Sequence, residues 1–293
     1  MSGGLRIEAG LMAVVLAVTD DRPRVLTVVS DPPRLPAGPL DPASDRTLER
    51  ALRRWVGETT GLDLGYVEQL YTYGDAGRGG EKDVRQLAIA YLGLVREGPL
   101  GGQAEWRDLY EFLPWEDRRQ EPGGVPPAVG TWVIAAENES RRQRAAMAWG
   151  GVGSWDPERA LERYELLFEV GVLPEAGGEG LAGLPMGLDH RRVLAQALGR
   201  LRGKLQYRPV VFELMPSEFT LSALQRVVEA VVGRRLHTGN FRRLLERTGM
   251  VEGLGRRDAG TGGRPAELHR FRRQVVLERP APGVGLPGMR TSG

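Results

Sequence analysis

The stretch FTLSALQRVVEAVVGRRLHTGNFRRLLERTGMVEGLGRRDAGTGGRPAELHRFRR, residues 219–273, decides the fold of the C-terminal third of this chain. Leu221, Leu224, Val227, Val228 and Val231 recur at steps of three and four, which places them on one face of a helix that Gly233 ends. After the link Arg234-Arg235-Leu236-His237, Thr238 stands where it can cap a second helix. In that helix Phe241, Leu244 and Leu245 turn inward, while Asn240, Arg243 and Arg247 share another, guanidinium-rich face. Met250-Val251-Glu252 starts a strand, Gly253 to Gly263 reads as a loop with Arg256, Arg257 and Arg264, and Leu268 to Phe271 returns as a second strand. Two short helices and a glycine-rich hairpin predict a winged helix-turn-helix, in which one helix enters a major groove of DNA with a basic wing beside it. The candidate DNA contacts are Arg234, Arg235, Thr238, Asn240, Arg242 and Arg243, with Arg264 on the wing directed at the minor groove.

Charge segregation supports this reading. Residues 200–293 hold 18 Lys+Arg against 8 Asp+Glu, so the net +2 of the whole chain hides a strongly basic module. Its cations are arginines with the single exception of Lys204, and the planar arginine fork suits bidentate contact with phosphate and guanine.

The chain has 293 residues, enough for two domains with their own cores. It contains no cysteine, which excludes disulfides and thiolate metal sites and makes a reducing cytoplasm the expected compartment. The apolar run Leu11 to Val18 is too short to span a bilayer, so no membrane association is expected. His190, His237 and His269 lie far apart and offer no metal-ligand spacing.

The N-terminal part reads as mixed α/β. Leu11 to Val18 is a buried strand, Asp20 to Pro23 a turn, and Val25 to Val29 the returning strand. A rigid proline loop from Pro32 to Pro42 follows, then a helix capped by Ser44 or Asp45, with Leu48, Ala51, Leu52, Trp55 and Val56 on one face and Gly61 closing it. Tyr71 to Asp75 reads as a strand end, Gly77 to Asp83 as a polar loop, and Leu87 to Val95 as another strong strand. Tyr71, Tyr73 and Asp75 follow the helix and are candidates to line a pocket that stacks a base. Further on, Glu116 to Gly130 reads as a loop, Thr131 to Ala135 as a strand, Glu139 to Met147 as a short helix, and Pro157 as first-turn proline of a helix with Leu161, Tyr164 and Phe168 on its stripe. Asp189 can cap a helix running to about Lys204.

The loop Leu35-Pro36-Ala37-Gly38 and the helix ending Arg54 to Leu62 resemble the box of the Nudix hydrolase fold, G-x5-E-x7-R-E-U-x-E-E-x-G-U. That chemistry needs several carboxylates on one helix face to hold magnesium against a diphosphate. Aligned backwards from Gly61 and Leu62, Arg54 and Val56 match, Trp55 and Thr59 occupy two glutamate positions, Arg46 falls where the first glutamate belongs, and Glu58 alone remains. Glu49 lies about 180° around the helix from Glu58 and cannot share an ion with it. The box keeps its shape and loses its metal.

A degenerate Nudix-like domain followed by a basic winged helix resembles the Nudix-related transcriptional regulators of NAD metabolism, most closely their alphaproteobacterial branch. Lys204 to Leu214, Phe219-Thr220-Leu221 and Leu224-Gln225-Arg226 look like their winged-helix entry, and Asn240 to Arg243 and Gly263 to Ala266 like their recognition helix and wing. Tyr110-Glu111-Phe112-Leu113-Pro114-Trp115-Glu116-Asp117 and Arg163-Tyr164-Glu165-Leu166-Leu167 belong to the same resemblance. It implies a homodimeric repressor of NAD-biosynthesis genes on a palindromic double-stranded operator, regulated by a nucleotide effector such as NAD, ATP or ADP-ribose. The competing class is a magnesium-dependent hydrolase of nucleoside diphosphate derivatives with a DNA-binding appendage. The expected organisation is an α/β (α+β) Nudix-like sandwich over residues 1–175, a linker at 176–187, a winged helix-turn-helix domain at 188–280 and a disordered tail at 281–293.

Overall fold

In this computed structural model the chain is described over residues 6–41, 43, 45–75, 84–120, 125–135, 138–150, 155–178, 183–258, 265–278 and 283–284. Strand β1 (Arg6–Thr19) is the axis of the N-terminal half. Its side chains from Leu11 to Ala17 are all buried, because both faces of the strand are covered. Leu11, Ala13, Val15 and Ala17 pack with Ala51, Leu52 and Val56 of helix α1 (Leu48–Thr60), while the alternate Met12, Val14 and Leu16 enter the main core on the opposite face. Strand β2 (Arg22–Val28) returns antiparallel through Asp20 and Asp21, both at positive φ. Strand β5 (Val84–Leu94) runs parallel to β1 from Arg6↔Val84 to Leu16↔Leu94, β4 (Tyr66–Tyr73) and β6 (Ala104–Asp108) form the edges, and β3 (Ala37–Pro39) pairs with β1.

Several local expectations change. The end of the proline loop joins the sheet as β3, since Gly10↔Pro39 pairing leaves the proline nitrogen no ladder bond to make. Helix α1 is capped by Thr47, whose Oγ1 accepts from Arg50 N at 3.3 Å; Asp45 instead pairs with Arg54 at 2.8 Å, and Ser44 lies outside the described residues. The polar loop Gly77 to Asp83 also lies outside them. Helix α2 (Leu109–Phe112) follows β6 and is capped by Asp108. Thr131 to Ala135, expected as a strand, is the end of helix α3 (Pro127–Ala135), whose apolar run starts on a proline and lacks the alternation of a half-buried strand. Helix α4 (Glu139–Trp149) runs two residues past Met147, and α5 (Ala160–Val170) starts three residues after Pro157.

Helix α6 (His190–Tyr207) packs on α5, β1 and β4 and also on α7 (Leu221–Val232) of the C-terminal unit. That unit contains α8 (Thr238–Thr248), the three-stranded sheet β7 (Phe219–Thr220), β9 (Ala266–Phe271) and β8 (Val251–Asp258) in that order, and the short α9 (Val275–Glu278). Residues 176–187 therefore do not separate two cores: one buried apolar cluster runs from Met12 through α6 to Phe241 and Val284. The tail assignment fails at Gly283 and Val284, which are buried, with Val284 N donating to Leu205 O at 2.7 Å.

The junction of the two halves is polar at its centre. Glu116, at the end of the turn Pro114–Glu116, is fully buried together with Arg163 of α5 and Arg202 of α6. Arg163 Nε and Nη2 donate to its two carboxylate oxygens at 2.6 and 2.8 Å, and Arg202 Nη1 donates to Oε2. Arg202 then reaches the C-terminal unit, its Nε donating to Val231 O at 2.9 Å. Tyr110 OH donates to Ala230 O at 2.6 Å and Arg118 N to Gly233 O at 2.7 Å, so the end of α7 is held from three sides. Gly233 is required here: φ is +76°, and a Cβ would lie 2.1 Å from the Glu116 carbonyl oxygen.

Burial pushes the Glu116 carboxyl up, but Arg202 and Arg163 outweigh it and hold the group below the ordinary 4.5. Removing the carboxylate leaves two buried guanidinium groups without their partner, a loss on the order of 3–5 kcal/mol. Urea unfolding of Glu116→Gln is expected to show a destabilisation of that size, and a change under about 1 kcal/mol would contradict the arrangement. Because the folded-state pKa is depressed, the contribution is present above pH 4.5 and is lost as the pH falls below it, so the wild-type urea midpoint should drop there more steeply than that of the variant.

Candidate functional site

The helix pair α7 and α8 is built as the apolar spacing requires. Thr220 caps α7 through Ala223 N at 3.1 Å, Gly233 ends it at positive φ, and Phe241, Leu244 and Leu245 bury one face of α8. The cap of α8 is His237, whose Nδ1 accepts from Asn240 N at 3.3 Å, and not Thr238, which starts the helix one residue later. Thr238 Oγ1 instead accepts from Gln225 Nε2 at 3.3 Å. The outer face presents Asn240, Arg242, Arg243 and Arg247 to solvent, with Arg243 Nη2 donating to Asn240 Oδ1 at 3.0 Å. Arg234 and Arg235 are exposed on the turn before it, so six of the predicted DNA contacts lie on one continuous stretch.

Glu229, a residue without a sequence assignment, fixes that turn. Its Oε1 accepts from Leu236 N at 2.9 Å and Gln225 Nε2 at 2.8 Å, and its Oε2 pairs with Arg235 at 2.9 Å. Burial pushes its pKa up, and the Leu236, Gln225 and Arg235 bonds outweigh it, leaving the carboxyl below its ordinary value. The available signal was the amide Gln225 and the acid Glu229 at i and i+4 of a largely apolar helix. On the wing, β8 extends to Asp258, so the loop expected from Gly253 is strand over its first six residues, with an irregular register between Gly253 and Arg257. Arg256 pairs with Glu218 at 2.5 Å, and Arg264 lies outside the described residues.

In the N-terminal half, Trp55 stands where the Nudix pattern has a glutamate and lies directly on β3: a Cβ on Gly38 would sit 2.3 Å from its indole. Thr59 Oγ1 turns back to Trp55 O at 2.8 Å, and Glu58 pairs with Arg54 at 3.0 Å. Arg54 also holds the Asp45 carboxyl below the usual carboxylate range by hydrogen bonding to it. Among the described residues no three His, Asp or Glu side chains converge as metal ligands.

A groove of ≈ 610 Å³ opens between β1, β3, β5 and the start of α6, with Glu8, Gly38, Gln86, Leu188 and His190 among its lining. His190 Nδ1 accepts from Leu35 N at 2.8 Å, which sets the neutral tautomer with its proton on Nε2. Leu188 has φ 57°, a left-handed conformation costly for a branched side chain, at the turn that leads into α6. Tyr71, Tyr73 and Asp75 do not line this groove. Tyr73 is buried, its hydroxyl donating to Gln196, so its ring cannot stack a base; Tyr71 is exposed at 5.5 Å from it, edge to face. Asp75 pairs with Arg192 of α6 at 3.1 Å. A strand edge anchored on a helix accounts for all three.

The NrtR DNA-binding winged helix domain family matches residues 211–271. The ADPR responsive transcriptional repressor NtrR of Acinetobacter baylyi is 38% identical over 237 residues, which cover 81% of this chain and 68% of that protein. The fold is that of Shewanella oneidensis NrtR in complex with a 27mer DNA, with a TM-score of 0.59 at 20% identity over 92% of this chain and 95% of that one. It is also that of a MutT/nudix family protein from Enterococcus faecalis, with a TM-score of 0.56 at 15% identity over 91% and 87% of the two chains. The chain belongs to the NrtR family of Nudix-related transcriptional regulators.

Proposed function

We propose that this protein is a transcriptional repressor that reads duplex DNA through α8 and changes its grip when ADP-ribose occupies the groove between β1, β3, β5 and the start of α6. One observation carries the reading: α8 presents Asn240, Arg242 and Arg243 outward from a winged helix, in a chain whose 38% identical relative is an ADPR-responsive repressor. Asn and Arg at these positions offer bidentate partners for adenine and guanine edges, and Arg234 and Arg235 supply charge for the backbone. A palindromic operator read by a homodimer is part of the proposal, as is control of NAD-biosynthesis genes.

The groove and the reading helix are joined by one rigid element. Helix α6 starts at His190 on the groove and holds α7 through Arg202, and its 18 residues span roughly 27 Å. A ligand that contacts the groove differently in two positions of this helix shifts the equilibrium between them, and with it the angle at which α8 meets the major groove.

The hydrolase reading has less support, because a lone Glu58 paired to Arg54 leaves a hard cation without its oxygen ligands. Purified protein incubated with ADP-ribose and magnesium is expected to return the nucleotide intact. Release of AMP that is lost in Glu58→Gln would reverse this assignment.

Fluorescence anisotropy of a duplex carrying the natural promoter tests the central reading. Saturating ADP-ribose should change the operator Kd by about fivefold or more, the ordinary size of an allosteric coupling. Arg243→Ala should weaken operator binding by about 1–3 kcal/mol and relax discrimination at one base position. Wild-type binding indifferent both to sequence and to ADP-ribose would refute the proposal.

A further inference from the structure

The cations at the junction of the two halves are not balanced by the carboxylates there. Glu116 is shared by Arg163 and Arg202, all three fully buried. Beside them Arg118 lies with its guanidinium carbon 5.2 Å from the Trp155 ring, which Arg163 and Arg202 approach at 4.6 and 5.4 Å. The remaining acids nearby are engaged elsewhere: Asp117 with Arg119 at 2.8 Å and Asp156 with Arg159 at 3.3 Å. The Arg118 main chain is fixed to the turn of the winged helix, its N donating to Gly233 O, and the next residue is Arg234. Neither the Arg118 nor the Arg234 side chain has a hydrogen bond or ion pair with a described residue. Half-burial, then the like charges of Arg163 and Arg234, pull the Arg118 guanidinium below its ordinary pKa against the opposing pull of Glu116. A half-buried cation next to other cations is a site that an anion would relieve.

We propose that Arg118 of the effector half and Arg234 of the winged helix together clamp one backbone phosphate of the bound duplex. This inference rests on the DNA-reading function proposed above and adds to it a DNA contact from outside the winged helix. Arg234 stands on the turn that precedes α8, the position from which a helix-turn-helix touches the backbone, and Arg118 is locked to that turn by its own main chain. The contact makes no distinction between bases, so it sets affinity and orientation and not sequence preference. It also places a residue of the effector half, two positions from Glu116, on the nucleic acid itself.

The salt dependence of binding tests this. For the wild type, Arg118→Gln, Arg118→Lys and Arg234→Gln, log K for the operator duplex is measured against log salt, alongside thermal melting and titration with inorganic phosphate in the absence of DNA. Arg118→Gln and Arg234→Gln are each expected to flatten the slope by about 0.9, Arg118→Lys to keep most of it, and the double Gln variant to lose less than the sum because both cations hold one phosphate. A wild-type slope in a folded Arg118→Gln protein overturns the clamp. Should that variant fail to fold, a wild-type slope in Arg234→Gln overturns it equally. If inorganic phosphate binds the wild type and not Arg118→Gln while the DNA slopes are equal, the anion is a free one and the operator contact is refuted. Absence of any duplex binding by the wild type would instead bring down the DNA-reading function itself.

Discussion

A single buried carboxylate organises the contact between the two halves of this protein. Glu116 draws Arg163 from α5 and Arg202 from α6 into one junction, and all three side chains are fully buried. Desolvating two cations and an anion is expensive, and the arrangement holds because the carboxylate is met on both oxygens while the guanidinium groups spend their other donors on carbonyls of Ala148, Asp156, Pro157 and Val231. Such a junction tolerates few alternatives. An apolar interface could slide, whereas here a small displacement breaks several charge-assisted bonds at once.

That property suits a regulator. The groove and the reading helix are connected by packed elements and not by a flexible tether: α6 lines the groove at His190 and carries Arg202 at its other end, and the apolar cluster is continuous from the sheet to α8. A ligand can bias DNA binding only through differential contact with two arrangements of these parts. Leu188, just before α6 and next to the groove, holds a left-handed backbone conformation that is costly for a residue with a side chain.

Much of this was legible in the sequence, and the failures have physical causes. Helices α7 and α8 were readable because their apolar residues follow the helical period, and the exposed arginine face follows from the same spacing. The departure from the Nudix box was readable too, since Trp55 and Thr59 stand at two of its glutamate positions, and the structure adds that the indole lies on Gly38. Helix α3 was misread because a run of nine residues whose one polar side chain is Thr131 has no period to distinguish helix from strand. Tyr73 was misread because side-chain chemistry does not reveal which strand face meets α6. Arg163 and Arg202 gave no warning: a charged residue in an amphipathic helix looks like solvent-facing charge until its partner, 47 or 86 residues away, is placed beside it. Glu116 and Arg163 lie in strings that belong to the family resemblance, without any role attached to either.

The claim that the junction transmits ligand binding to the DNA-reading helix is tested most directly by calorimetric titration of ADP-ribose into free and operator-saturated protein, for the wild type and for Arg202→Lys. The lysine keeps the charge and loses the fork that joins Glu116 to Val231. The account predicts a ratio of the two ADP-ribose affinities well away from one in the wild type and close to one in the variant, with each ligand still bound. An unchanged ratio in a folded variant that binds both ligands would contradict it.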